Sequence, residues 1–233
     1  MKKILLVNLF LVLNSYNVCA ATQANESYKI KSKNFIINLV HGNILDVKVD
    51  AIVNPANETL QHLGGLCGTI HNAAGSALEE ECLQLPVVAK KSVRCKAGDA
   101  VITKAYNLKN CKYVIHAVGP DYNNFEQRAL APEKLKNVYK NIINLMQSNK
   151  LNKLAVPAIS VGIFNYPMEQ ATKIAIDTII DSITNNYKLL INQENNSIAK
   201  EISFVIFNNQ KLFDIYKKLL DLKIYGKTLD PKK

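Results

Sequence analysis

The chain has 233 residues, 48% hydrophobic and 21% charged, with a formal net charge of +10. This composition excludes an intrinsically disordered polypeptide, which lacks the apolar surface to build a core. The length fits one domain with a short leader better than two domains.

The N-terminus departs from a globular pattern. Lys2 and Lys3 precede an apolar run over residues 4–13, broken by Asn8, and Val18-Cys19-Ala20 places small residues ahead of Ala21. A basic start, a short apolar stretch and a small-residue junction form a secretory leader, with cleavage expected after Ala20. The run is too short for a membrane anchor; the alternative is an uncleaved N-terminal helix. The expected mature chain is exported, periplasmic or secreted, with no membrane attachment. Without Lys2 and Lys3, 27 basic residues face 19 acidic ones, a charge of +8. The lysines are scattered, with pairs only at Lys90-Lys91, Lys217-Lys218 and Lys232-Lys233. With no basic stripe interleaved with aromatics, a solvated basic face is expected rather than a nucleic-acid groove.

Residues 21–34 are polar and read as a flexible lead-in. Strand-like apolar runs follow at 35–40 and 49–53. Gly64-Gly65 opens a helix through about residue 83, with Ile70, Ala73, Ala74, Ala77 and Leu78 on one side. Residues 100–104 and 113–118 read as strands. Pro132 opens a helix striped by Leu135, Val138, Tyr139, Ile142 and Met146. A strand at 154–159 leads to Pro167, well placed in a first helical turn where its missing N–H costs nothing. The Asn-rich stretch 185–196 reads as a surface connection. A strand at 202–207 precedes a last helix carrying Leu212, Ile215, Tyr216, Leu219 and Leu220, and 223–233 reads as a tail. Alternating strands and helices predict an α/β fold with a largely parallel sheet covered on both faces. No linker or repeat divides residues 35–222, so one domain is expected, as a monomer.

Cys67, Cys82, Cys95 and Cys111 remain after cleavage. An even count in an exported chain permits two disulfides, and free, partly buried thiols are the equal alternative. Their spacing matches no metal-ligand pattern, and neither metal nor cofactor is expected.

Three strand ends carry unusual loops: His41-Gly42-Asn43-Ile44; Asn54-Pro55-Ala56-Asn57 with His62-Leu63-Gly64-Gly65-Leu66-Cys67-Gly68; and Pro157-Ala158-Ile159-Ser160-Val161-Gly162-Ile163-Phe164-Asn165. Glycines let backbone amides approach a ligand, and a helix N-terminus adds unpaired amides and a positive dipole end. Two such loops facing each other clamp a diphosphate without lysine. Asn57 can donate and accept. Phe164 and Phe207 are placed for stacking. His116, inside an apolar strand, reads as a satisfied core histidine.

Together with Val49-Asp50-Ala51-Ile52-Val53, Ile70-His71-Asn72-Ala73-Ala74-Gly75, the stretch from Gly98-Asp99 to Asn107-Leu108, and Tyr113-Val114-Ile115-His116-Ala117-Val118-Gly119-Pro120, these loops resemble the macro domain family over residues 35–222. The resemblance implies a three-layer α-β-α fold with a mixed sheet. It implies ADP-ribose or a mono-ADP-ribosylated protein as partner, and hydrolysis of mono-ADP-ribosyl linkages. The non-catalytic alternative is an ADP-ribose reader, and a further one is an exported interaction or nucleic-acid-binding module. Carried over, Asn43 and the backbone of Ile44 take the adenine amino group, and Phe207 stacks on the adenine. Gly64, Gly65 and the loop Ser160, Val161, Gly162, Ile163 and Phe164 hold the phosphates and distal ribose. Asn57 is the catalytic candidate.

The departures are Asn43 for the usual Asp, Leu63 for the first glycine of a triplet, Asn165 for Gly and Asn208 for Asp. Cys67 stands where hydrolases of the MacroD type have Asp. Leu60-Gln61-His62 resembles a subclass, including viral members, with a small residue there and a His at this position. His62 is therefore the second catalytic candidate, helping a ligand phosphate organise the attacking water. Cys67 reads as a packing residue.

Overall fold

The computed structural model describes residues 17–18, 27–31, 35–90, 92–190 and 200–226. The strands are β1 (Asn17–Val18), β2 (Ser27–Lys31), β3 (Phe35–His41), β4 (Ala51–Pro55), β5 (Ala100–Lys104), β6 (Tyr113–Ala117), β7 (Lys153–Pro157) and β8 (Lys200–Ile206). The helices are α1 (Gly65–Ala74), α2 (Ser76–Gln84), α3 (Ala131–Ser148), α4 (Met168–Leu190) and α5 (Gln210–Tyr225), with 3-10 turns at Ile44–Asp46 and Phe125–Leu130.

The strands form one mixed sheet in the order β1-β2-β3-β8-β7-β4-β6-β5. The run from β3 through β6 is parallel, and antiparallel strands close both edges. Strands buried on both faces read as continuous apolar runs, and β8 is buried from Ile202 to Ile206. Alternate residues of each strand divide between the two faces. Val53, Leu154, Val156, Ile202, Phe204 and Ile206 pack with α3, α4 and α5. Ile52, Ala155 and Val205 pack with Ile70 and Ala74 of α1 and Leu78 of α2. This is the expected three-layer α-β-α arrangement.

The structure corrects three boundaries. Part of the expected lead-in is a strand: β2 pairs with β3 from Ser27↔Val40 to Lys31↔Ile36. Ile30 is fully buried, and the Tyr28 hydroxyl donates to the Asp221 carboxylate on α5. Burial and that carboxylate push the Tyr28 pKa up. The single helix expected to about residue 83 is broken at Gly75, whose φ of +82° suits glycine. A Cβ there would come within 2.7 Å of Asn107 Nδ2. The last helix runs past the expected boundary to Tyr225, because Ile224 is buried and Lys223 pairs with Asp177 and Asp181. Gly226, at φ +64°, ends it in a left-handed cap.

Most of the expected leader and the end of the tail lie outside the described residues; Asn17–Val18 of that leader pairs with β2. The expected connection at 185–196 begins inside α4, and residues 191–199 lie outside the described set. Among the described residues no helix is long and apolar enough to cross a membrane.

Candidate ligand-binding site

Parallel strands deliver their following loops to one edge of the sheet, where α/β proteins bind ligands. The ends of β4, β6 and β7 there surround a cleft of about 160 Å3. Its walls are Pro55 and Ala56 at the end of β4, Ala117 and Gly119 at the end of β6, Ala158–Ser160 and Gly162–Phe164 after β7, and Leu63–Cys67 at the start of α1.

The floor is the amino end of α1. Gly64 is the N-cap and supplies no side-chain hydrogen bond, so the first amides of the helix need an external acceptor. A Cβ at Gly64, Gly65 or Gly162 would meet nothing within 4 Å. The space above both loops is open at these three glycines. Gly65 sits at φ +64°, the left-handed region that favours glycine.

The opposite loop is held in a strained path. Ser160 and Asn165 have φ of +65° and +51°. Tyr166 N donates to Ser160 O at 2.9 Å, and Asn165 N to Gly162 O at 2.9 Å. Asn tolerates the left-handed conformation, so Asn165 keeps the turn where the family has Gly. Gly119 sets how closely the loop approaches: a Cβ there would lie 2.1 Å from Ser160 Oγ. Ser160 is buried, and its hydroxyl has no partner among the described residues.

Beneath the cleft runs a buried polar chain. Asn54 Nδ2 donates to His116 Nδ1 at 3.1 Å and contacts Cys67 Sγ at 3.7 Å. His116 Nε2 lies 2.9 Å from Thr103 Oγ1, which donates to the Lys104 carbonyl. Nε2 therefore carries the proton, and the ring is neutral. Burial pushes the His116 pKa down to about 3, helped by His71. The core-histidine reading of His116 holds. Burial raises the Cys67 thiol pKa against opposing hydrogen bonds from Leu63 and Asn54, so the helix N-terminus does not make Cys67 a thiolate. The four cysteines expected in the mature chain are free.

Gly64, Gly65, Ser160, Gly162, Ile163 and Phe164 come together around the cleft as expected. Asn43, Ile44 and Phe207 gather further along the same edge, where Gly42 N donates to Ile206 O at 2.9 Å. Phe207 is 63% exposed, a ring free to stack. Asn43 Oδ1 already accepts from Leu45 N at 3.1 Å, leaving a lone pair and the amide for a ligand.

Three expected residues present no side chain to the cleft wall. Val161 packs inward against the core. Asn57 is bound up in its own loop: its amide donates to Gln61 O at 3.0 Å, and its oxygen accepts from Thr59 N and Oγ1. His62 turns away from the cleft into a separate hollow with His71, Asn72, Ser76 and Glu79. Its ring meets His71 edge-on at 6.0 Å and lies 3.2 Å from where a Cβ on Gly68 would be. The absence of that Cβ chiefly admits the Leu63 carbonyl, which would lie 2.4 Å from it. The sequence reading missed Asn54, Thr103 and Gly119 as supporting residues; an asparagine inside the buried strand 51–54 was the available signal.

The Macro domain family description matches residues 53–175. An O-acetyl-ADP-ribose deacetylase of Cronobacter sakazakii is 38% identical over 184 residues, covering 79% of this chain and 93% of that protein. The Oceanobacillus iheyensis macrodomain solved with ADP superposes with a TM-score of 0.74 at 29% identity, covering 88% of this chain and 100% of that one. The Trypanosoma brucei macrodomain in complex with ADP-ribose gives 0.61 at 29% identity, covering 78% and 68%. In sequence and in architecture, the chain belongs to the macro domain family.

Proposed function

We propose that the protein binds ADP-ribose in this cleft and hydrolyses mono-ADP-ribosyl linkages on a protein or on a small ADP-ribose derivative. One observation carries the reading: the uncapped amino end of α1 faces the 160–164 loop across glycines that leave room for an anion. Neutral amides pre-aimed at a diphosphate bind it without a counter-cation. Relatives named O-acetyl-ADP-ribose deacetylase and neighbours solved with ADP and ADP-ribose support the same ligand.

Among the lining residues only Cys67 carries a titratable side chain, and its pKa is raised. The cleft walls supply no acid or base, and His62 faces elsewhere. The water that attacks the linkage is therefore organised by a phosphate of the ligand, within a cleft that fixes the sugar. On a protein linkage its oxygen goes to the anomeric carbon and its proton to the departing acceptor; on O-acetyl-ADP-ribose its oxygen goes to the acetyl carbonyl carbon and its proton to the ribose oxygen, releasing acetate. Asn57 acts through its loop, as a positioning residue. Asn57→Ala is expected to lower kcat by about a hundredfold, the scale of a small misplacement at a reacting centre, while the Kd for ADP-ribose stays within about threefold. Release of ADP-ribose from O-acetyl-ADP-ribose and from a mono-ADP-ribosylated polypeptide, with calorimetry alongside, checks both. The absence of an acid or base among the lining residues also favours a second reading, a reader without turnover. Binding with no product from the unmodified protein would select it.

We further propose export with removal of residues 1–20. Support comes from Lys2-Lys3, the apolar run and the Val18-Cys19-Ala20 junction. Protein recovered outside the cytoplasm is expected to give an N-terminal sequence starting at Ala21; a sequence starting at Met1 would overturn the proposal.

A further inference from the structure

One rim of the cleft carries an exposed aromatic that the fold holds in place without covering. Phe125 is 76% exposed. The Arg128 guanidinium carbon lies 3.8 Å from the centre of its ring and 4.8 Å from that of Tyr122. Arg128 Nε donates to the Tyr122 carbonyl at 2.7 Å, which fixes the guanidinium between backbone and rings. The segment is tied to the ligand loop. Tyr122 N donates to Phe164 O at 2.9 Å, and Asn123 Nδ2 donates to Ile163 O at 3.0 Å. Ile163, itself 60% exposed, continues the apolar surface into the cleft wall.

A rigid aromatic beside an arginine is the composition of an interface anchor. A stacked guanidinium keeps its outer N–H groups free, and they match a carboxylate. Among the described residues Arg128 forms no ion pair. The surface therefore sets an exposed ring beside an unpaired guanidinium, in a segment whose carboxylates are Asp121, held by Asn123, and Glu126, and it is continuous with the loop that encloses the ligand. Building on the function proposed above, we infer that Phe125 and Arg128 dock the polypeptide that carries the ADP-ribose, Phe125 against an apolar group and Arg128 on a carboxylate flanking the modified residue. A small ADP-ribose derivative fills the cleft without reaching this rim.

The test compares the full protein with Phe125→Ala and with Phe125→Ala/Arg128→Ala on two substrates. One is an ADP-ribosylated peptide with Asp and Glu flanking the acceptor; the other is O-acetyl-ADP-ribose. On the peptide the double variant is expected to raise KM about tenfold with kcat unchanged, the combined scale of one aromatic and one cation contact. Phe125→Ala alone, at an exposed position, gives part of that rise. Both constants for O-acetyl-ADP-ribose stay within twofold. In the unmodified protein, exchanging the flanking Asp and Glu for Ser raises KM in the same way. An equal loss on both substrates, or no change on the peptide, would overturn the inference. If the unmodified protein turns over neither substrate, the hydrolase reading fails separately, and calorimetry decides the rim. Tighter binding of the peptide than of free ADP-ribose, lost in the double variant, supports docking; equal affinities overturn it.

Discussion

Gly65→Glu is expected to leave the protein folded and to weaken ADP-ribose binding by at least about a hundredfold. The two halves of that outcome have separate causes. A Cβ at Gly65 would meet nothing within 4 Å, so the substitution makes no clash in the folded protein. Its φ of +64° costs a non-glycine residue about 1 kcal/mol, which a domain of this size tolerates. The carboxylate then projects from the first turn of α1 into the space between the two loops. It satisfies the free amides intramolecularly and sets a negative charge against the ligand diphosphate. Losing two to three amide-to-phosphate bonds, each about 1.5–3 kcal/mol where one partner is charged, exceeds the threshold for a hundredfold effect. Calorimetric titration with ADP-ribose reads the affinity, and urea unfolding reads the stability. Unimpaired binding with normal stability would show that the ligand does not sit at the amino end of α1.

The sheet was legible because strands buried on both faces leave a strong sequence signal. Residues 51–53 are apolar throughout, 113–117 and 202–206 are apolar but for His116 and Ser203, and α3 and α5 carry stripes at helical spacing. The loops were legible in their backbone role: Gly64, Gly65 and Gly162 leave open space where an anion needs it. Side-chain direction within loops was not legible, because contacts made after folding decide it. Asn57 is held by Thr59 and Gln61 of its own turn. His62 swings over Gly68 toward His71 and Glu79, contacts that form only in the fold. Val161 turns into the core beside two cleft residues. β2 was missed for a related reason. Ser27–Lys31 alternates polar and apolar residues only briefly, and the Asp221 that holds Tyr28 lies 193 positions away. The break at Gly75 rests on its φ of +82°, and a lone glycine within a helical stretch permits such a break without requiring it.

Acidification should destabilise the protein through His116, and removal of that ring should abolish this part of the pH dependence. The folded-state pKa is held at about 3 by burial and by His71, whereas an unfolded histidine titrates near 6.5. Between these values the unfolded state binds the extra proton, so stability rises with pH in that window and falls on acidification through 6.5. Above pH 6.5 both states are neutral and the group adds no pH dependence. From pH 7 to pH 5 the loss attributable to His116 is about 2 kcal/mol, from 1.36 kcal/mol per pH unit over roughly one and a half units. Paired carboxylates also lose stability in acid, so the wild-type curve alone does not isolate the ring. His116→Gln does: it keeps an acceptor for Asn54 and a donor for Thr103, yet cannot titrate. Its stability at pH 7 is expected to fall by about 1–3 kcal/mol through imperfect packing and hydrogen bonding. Its further loss on moving to pH 5 should be smaller than that of the wild type by about the 2 kcal/mol derived above. Because Asn54 ties the same ring to Cys67 in the first turn of α1, ADP-ribose affinity should weaken in the variant at pH 7 too. Parallel pH slopes for the two proteins in urea titrations would mean that the ring is protonated in the folded state, and the neutral hydrogen-bonded chain beneath the cleft would have to be abandoned.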